Sequence, residues 1–333
     1  MLLKYLLKSK FQFVEALPAR ELKVTLMFLL IVNLTSKAQT PTDGIMMPNN
    51  NICFFLGYEN AKFDEYWEGT KLRKNATIST VERQTYAFMV AVGLIKNLNI
   101  YAGLPYVSTA SSSPNGGKLA GVKGIQDLEL AAKYEALNLE GKWGNFRALA
   151  SLGFSTPLTN YLSDYQPYSL GLGAPQISYR GLIHHKFPFG GYLRATVSYL
   201  WRGYTEVERD YYYNNGSYYT PWMDVPSAWD YSGAFGVFLM KNDALRLEAN
   251  YSMLRSSSGD DIRPYNASQP TNKVNSDHVG FLVQYIPHYL QGFGVIAQYR
   301  SVLEGRNTGK VDAVSFGLTY QFNYSINVNH HEQ

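Results

Sequence analysis

The chain has 333 residues, a formal net charge of +4 and a mean hydropathy of -0.21. So small a charge excludes nucleic acid as the organising partner, and the single cysteine, Cys53, excludes an intramolecular disulfide or a cysteine-built zinc site. Aromatic residues make up 15% of the chain, with 27 tyrosines among them, a content that suits girdles at two membrane interfaces.

Only one long apolar run exists, Val24 to Leu34, after Arg20 and Lys23 and before the small-x-small pattern Ser36-Lys37-Ala38. This arrangement predicts a signal peptide over 1–38 with a mature chain starting near Gln39. At about eleven residues the run is too short for a membrane-spanning helix. The long lead-in Met1 to Ala19 fits a start codon placed too far upstream. Residues 39–51, with Pro41, Gly44 and Pro48, predict a short periplasmic segment or small plug.

From Ile52 onward the chain alternates apolar and polar residues at the length of a membrane-crossing strand. Strand one is expected over Ile52 to Phe63, with Cys53 a small residue on it. In strand two, Val81 to Leu94, the residues Tyr86, Phe88, Val90, Val92 and Leu94 share one face. A tight Lys96-Asn97 turn leads to strand three, Leu98 to Val107. The connections then alternate long and short: Ser108 to Gly124, Leu137 to Lys142, Pro157 to Tyr168, Lys186 to Gly190, Thr205 to Ala228, Lys241 to Asp243, Arg255 to Ser276, Pro287 to Leu290 and an intermediate Leu303 to Lys310. The last strand, Ala313 to Phe322, places Val314, Phe316, Leu318, Tyr320 and Phe322 on one face. It is similar to the aromatic-ended insertion signal of bacterial outer-membrane barrels, here followed by a polar tail, 323–333.

This pattern predicts an all-β protein, a transmembrane antiparallel up-and-down β-barrel over 52–322 with both termini in the periplasm. The expected number of strands is about twelve, with ten or fourteen left open by weak patterning around strands one and six. The facing is set by cost. In Ala244 to Leu254, Arg246, Glu248, Asn250 and Ser252 share one face and Leu245, Leu247, Ala249, Tyr251 and Met253 the other. A one-residue slip would turn Arg246 into lipid at roughly 2–4 kcal/mol. The same rule turns Arg194, Thr196, Ser198 and Arg202 inward, with Asp127, Glu129, Lys133, Glu135, His278, Gln284, Gln298 and Arg300.

The candidate lumen and selectivity residues are therefore Asp127, Glu129, Lys133, Arg194, Arg202, Arg246, Glu248, Gln298 and Arg300. They form either a salt-bridged network that stiffens the barrel or a constriction that sorts solutes by charge. A twelve-stranded barrel is intermediate in width, so strand number does not decide between these. Tyr211, Tyr212, Tyr213, Tyr218, Tyr219 and Trp222 crowd the longest loop, with a turn at Asn214-Asn215-Gly216. Their ring faces suit extracellular capture of aromatic or sugar ligands, or else membership of the outer girdle.

No Gly-x-Ser-x-Gly elbow, His-Glu-x-x-His helix or phosphate-cradling glycine loop is present. Ser276, Asp277 and His278 are the one polar trio, and strand alternation separates the middle residue from the other two. His184-His185 and His330-His331 are adjacent pairs that diverge in a strand, so neither a metal nor another cofactor is expected, and the protein is not expected to be an enzyme.

Ile100-Tyr101-Ala102-Gly103-Leu104-Pro105-Tyr106-Val107, the run Gly124-Ile125-Gln126-Asp127-Leu128-Glu129-Leu130-Ala131-Ala132-Lys133-Tyr134, Phe154 to Tyr161, Ser169 to Gly173 and the first-loop Asp64 to Gly69 together resemble a known group. The chain resembles the outer-membrane barrels called meta-pathway phenol-degradation proteins, as found in Bacteroidetes-type bacteria. The resemblance covers most of the mature chain and implies a transporter of phenolics, toluene-like or fatty-acid-like molecules; it implies no catalytic or binding residues. The expected function is an outer-membrane channel or transporter for small organic molecules, with aromatic or hydrophobic ones in view. The alternative is a non-transporting structural or secretion-associated barrel that docks a partner through its loops. Expected partners are outer-membrane lipid, a small organic solute and the barrel-insertion machinery, with no nucleic acid.

Overall fold

The computed structural model describes residues 40–113, 121–263, 268–287 and 289–324. The expected signal peptide and lead-in, the tail from 325 and His330-His331 lie outside the described residues.

The strands are β1 (Asn51–Phe63), β2 (Val81–Ile95), β3 (Leu98–Ser111), β4 (Asp127–Gly141), β5 (Gly144–Pro157), β6 (Gln176–Lys186), β7 (Gly191–Arg202), β8 (Ala228–Leu239), β9 (Leu245–Ser256), β10 (Asn275–Tyr285), β11 (Phe293–Arg306) and β12 (Asp312–Asn323). Each pairs antiparallel with its neighbours in chain order. β1 then closes on β12, from Asn51 opposite Asn323 to Lys62 opposite Asp312. The result is a closed twelve-stranded barrel. Closure is what makes the fold tolerable in lipid, because an open edge would leave backbone groups with neither water nor a partner.

The two faces separate as the alternation predicts. Leu56, Phe88, Leu152, Phe235, Leu247 and Phe316 are exposed on the outside, while Asn99, Lys133, Ser198, Thr319 and Gln321 are buried inside. The polar residues are thus the enclosed ones. Apolar side chains outside suit a hydrocarbon solvent, and polar groups inside find partners among themselves. The connections at one end are short, as at Lys96-Asn97, and this end faces the periplasm in outer-membrane barrels.

Several boundaries differ from expectation. β3 continues past Val107 to Ser111. β6 starts only at Gln176, so Ser169 to Pro175 belongs to the preceding loop: Gly173 takes a φ of +68° that ends strand geometry, and Pro175 follows it. The longest loop, 203–227, is a hairpin, as the turn at Asn214-Asn215-Gly216 suggests, in which Tyr204–Glu206 pairs with Trp222–Asp224 and Tyr212–Tyr213 with Ser217–Tyr218.

The outer loops are tied together. Asn307 donates from Nδ2 to the Lys273 carbonyl at 2.7 Å and to Asp261 Oδ1 at 2.8 Å, and its Oδ1 accepts from the amides of Gly69 and Ile262. One side chain therefore joins the loops at 64–80, 257–274 and 307–311.

Candidate functional site

Thr40 to Asn50 runs back inside the barrel. Met47 packs in a cluster with Cys53, Ala91 and Tyr101, all on inward positions. Gly93 is required by this approach, because a Cβ there would lie 2.1 Å from the Pro48 carbonyl oxygen; at Gly44 a Cβ would meet the His184 ring. The anchor of the segment is Lys133. Its Nζ donates to the carbonyls of Thr40 and Ile45, each at 2.7 Å, and to Asp43 Oδ1 at 3.0 Å. The Asp43 carbonyl accepts at 3.3 Å as well, so the three ammonium protons are shared among four acceptors, all on the segment. Asp43 is in turn fixed by the amides of Thr40 and Ile45.

Beside this anchor lies a second buried cluster, built on β7 and β9. Glu248 accepts from Arg194 at 2.8 Å, from the Tyr192 hydroxyl at 2.6 Å and from Arg246; Arg246 Nε also donates to the Tyr192 oxygen at 2.8 Å. Two arginines sharing one carboxylate leave a net positive wall, and the Asp43 carboxylate faces it. Alternation foretold Arg194, Arg246 and Glu248. Tyr192 was not foretold, although it sits two residues before Arg194 on the same face.

Toward the long-loop end the inward charges are spread out. Asp127 accepts from the Tyr161 hydroxyl at 2.6 Å. Arg83 donates to the carbonyls of Ser169 (3.1 Å) and Leu170 (2.6 Å) and to Gln126, drawing the 158–175 loop into the mouth. Arg202 bonds Gln176 and the Pro226 carbonyl, and Arg300 pairs with Glu59 at 3.5 Å while staying half exposed to the lumen. Gln298 is exposed on the same face. The nine expected lumen residues do not form one ring: Lys133, Arg194, Arg246 and Glu248 gather around the inserted segment, and the others are distributed higher up the wall.

Between the segment and the barrel wall is a cavity of about 240 Å³, with Pro41 and Thr42 on the segment side. Glu129, Gln176 and Arg180 face it.

In the aromatic loop, Tyr212 is buried on Val207 and Met223 and stacks on Tyr218 at 5.0 Å, and Tyr213 carries the Arg263 guanidinium 4.2 Å from its ring centroid. Tyr211, Tyr218, Tyr219 and Trp222 are exposed, Tyr219 by 83%. Of the polar trio, His278 Nε2 lies 2.8 Å from Ser276 Oγ, but Asp277 turns to the other face, where it pairs with Arg255 and accepts from Tyr251. The trio does not converge. His184 stacks on Tyr192 inside the barrel and His185 on Phe187 outside it, and no group of metal-ligating side chains occurs among the described residues.

No family model matches the sequence, and no curated protein matches it. Among solved structures the chain is similar to the COG4313 outer membrane channel from Pseudomonas putida F1, with a TM-score of 0.67 and 12% identity over 86% of this chain and 100% of that one. The chain has the fold of an outer-membrane β-barrel. The NanC porin (TM-score 0.46, 8% identity, 81% of this chain and 98% of that one) and the translocator domain of autotransporter NalP from Neisseria meningitidis (0.45, 13%, 81% and 88%) are looser matches. At 12% identity the likeness carries architecture and not solute, and the phenol-degradation resemblance has no sequence-family support beyond the motifs quoted above.

Proposed function

We propose that the protein is an outer-membrane channel for small organic molecules, of the meta-pathway phenol-degradation type, held closed by residues 40–50. One observation carries this reading: Lys133 is fully buried, yet the hydrogen-bond acceptors of its ammonium all lie on a segment that is no strand of the barrel. A barrel stabilised for its own sake would pair that lysine across strands, as Arg194 and Glu248 are paired. The segment is continuous with β1 only through Asn51, so it can leave the lumen without breaking a strand. Beneath it lie charges able to act on a passing solute.

The test is single-channel conductance of the mature barrel in a planar bilayer, repeated with phenol. Conductance that phenol reduces supports a route through the lumen; conductance that phenol leaves unchanged removes the aromatic solute from the proposal.

A docking role is favoured by the exposed aromatics of the 203–227 hairpin, since Tyr211, Tyr218, Tyr219 and Trp222 expose ring faces while Tyr212 and Tyr213 hold the hairpin's shape. The same four are the capture residues if the solute is aromatic. Substituting Tyr219 and Trp222 by serine separates the two: a capture role predicts weaker phenol block, and a docking role predicts unchanged block.

A further inference from the structure

We propose that the cavity between Glu129 and Arg180 binds a small zwitterion of amino-acid size, an inference that rests on the channel reading above and names its solute class. The cavity exists because three adjacent strands present almost no side chain there. Gly103 on β3, Ala131 on β4 and Gly153 on β5 all face inward, with Gly103 opposite Glu129, Ala131 opposite Gly153 and Gly153 opposite Ser178 across the ladders. At about 30 Å³ per water, 240 Å³ holds roughly eight waters, which is below the space of a drug-sized ligand.

Some of the inward charges are already paired. Lys133 is matched by Asp43, and Arg194 and Arg246 by Glu248. Glu129 has no hydrogen-bond donor or ion-pair partner among the described residues, and its carboxylate lies against Gly103, 3.5 Å from where a Cβ would be. Arg180, two strands along the same wall on β6, donates from Nε to Ser198 at 3.0 Å, and Asp230 on β8 acts on it from beyond ion-pair distance. Gln176 accepts from Arg202 and has no acceptor for its own amide NH2 among the described residues.

Glu129 and Arg180 thus present opposite charges to one cavity, and neither is held in an ion pair among the described residues. A ligand with one ammonium and one carboxylate satisfies both: the ammonium donates to Glu129, and the carboxylate accepts from Arg180 and Gln176. A ligand with one charge leaves the other group unmatched. Met89, Tyr101 and Leu200 give an apolar side chain somewhere to lie.

The experiment uses L-leucine beside two analogues of nearly the same shape, 4-methylpentanoate without the ammonium and 3-methylbutylamine without the carboxylate. Binding to the purified mature barrel is measured by calorimetry, with heat-modifiable gel migration as the check on folding. Leucine should bind about tenfold or more tightly than either analogue. Glu129→Gln should reduce leucine to the level of the acid while leaving the acid unaffected, and Arg180→Gln should reduce it to the level of the amine. Gly103→Leu should abolish binding by filling the space. Leucine bound no better than its analogues, or unaffected by the Glu129 and Arg180 changes, overturns the inference. Swelling, in leucine and in uncharged arabinose, of liposomes carrying the Lys133→Met barrel, whose segment should leave the lumen, separates this from the channel reading. Arabinose passage with no preference for leucine overturns the zwitterion site alone. Leucine binding with passage of neither solute overturns the channel and leaves the site.

Discussion

The Lys133 ammonium and the Asp43 carboxylate meet at 3.0 Å inside the barrel, ninety residues apart in the chain. One belongs to the wall and the other to the segment that fills the lumen. Removing one member of a buried ion pair costs about 3–5 kcal/mol, because the partner is left charged and enclosed. In Lys133→Met, the carbonyls of Thr40 and Ile45 lose their donor, and Asp43 keeps only the donors of its own segment, with its ion-pair partner gone. The segment should therefore leave the lumen. A cysteine placed at Thr42, in a background with Cys53 replaced by alanine, should react with a membrane-impermeant maleimide much faster in Lys133→Met than with Lys133 present. Equal rates would mean that packing around Met47 holds the segment unaided.

The same pair makes closure acid-sensitive. Burial pushes the Asp43 carboxyl up, but the Lys133 ammonium, with Arg246 behind it, outweighs burial and leaves the carboxyl below its ordinary value of 3.8. A pKa lowered in the folded state contributes stability that is complete above 3.8 and lost as pH falls through the lowered value. Conductance should rise as the bath is acidified below pH 3.8 and should not rise in Asp43→Asn, where nothing remains to titrate at that position.

Facing predicts opposite outcomes for two neighbours on β9. Leu247 is on the lipid side and Asn250 on the lumen side. Leu247→Arg should hinder insertion by roughly 2–4 kcal/mol near the midplane, and Asn250→Arg should insert normally. Heat-modifiable migration after refolding into vesicles reads the difference, and equal yields would contradict the facing.

Arg83 is expected to hold the mouth. Arg83→Ala strands the Ser169 and Leu170 carbonyls, at about 1–3 kcal/mol for each one shut away from water. Chymotrypsin should then cut the 158–175 loop at Tyr161, Tyr165 or Tyr168 several-fold faster. An unchanged digest would place the restraint in the bonds from Thr109 to the Tyr168 carbonyl and from Tyr168 to Ser111 instead.

How much of this was legible follows from the physics of a strand. Two-residue alternation reports which solvent each side chain meets, so Leu245 to Ser256 and Ala313 to Phe322 showed their faces without a structure. Arg83 and Arg180 obey the same rule, but Arg180 lies in β6, where Gly181 weakens the outward apolar stripe, and Arg83 stands between polar Glu82 and Gln84, so no alternation marks its face. The pairing of inward charges was not legible, because it depends on which strands face one another across the lumen and on register. Ser169 to Pro175 looked like strand because Leu170 and Leu172 alternate with small residues; only the positive φ at Gly173 and the grip of Arg83 make it loop. The segment 40–50 has no periodicity to read, and its place depends on one lysine ninety residues away.

The most direct test of the account is conductance of the mature barrel in a planar bilayer with and without residues 40–50. The account predicts small or rare steps from the intact barrel and large steady steps from the shortened one, with the shortened protein no longer responding to acid below pH 3.8. Silence from a shortened barrel that migrates as folded and is inserted would contradict it, because the lumen would then be closed by the wall and loops themselves.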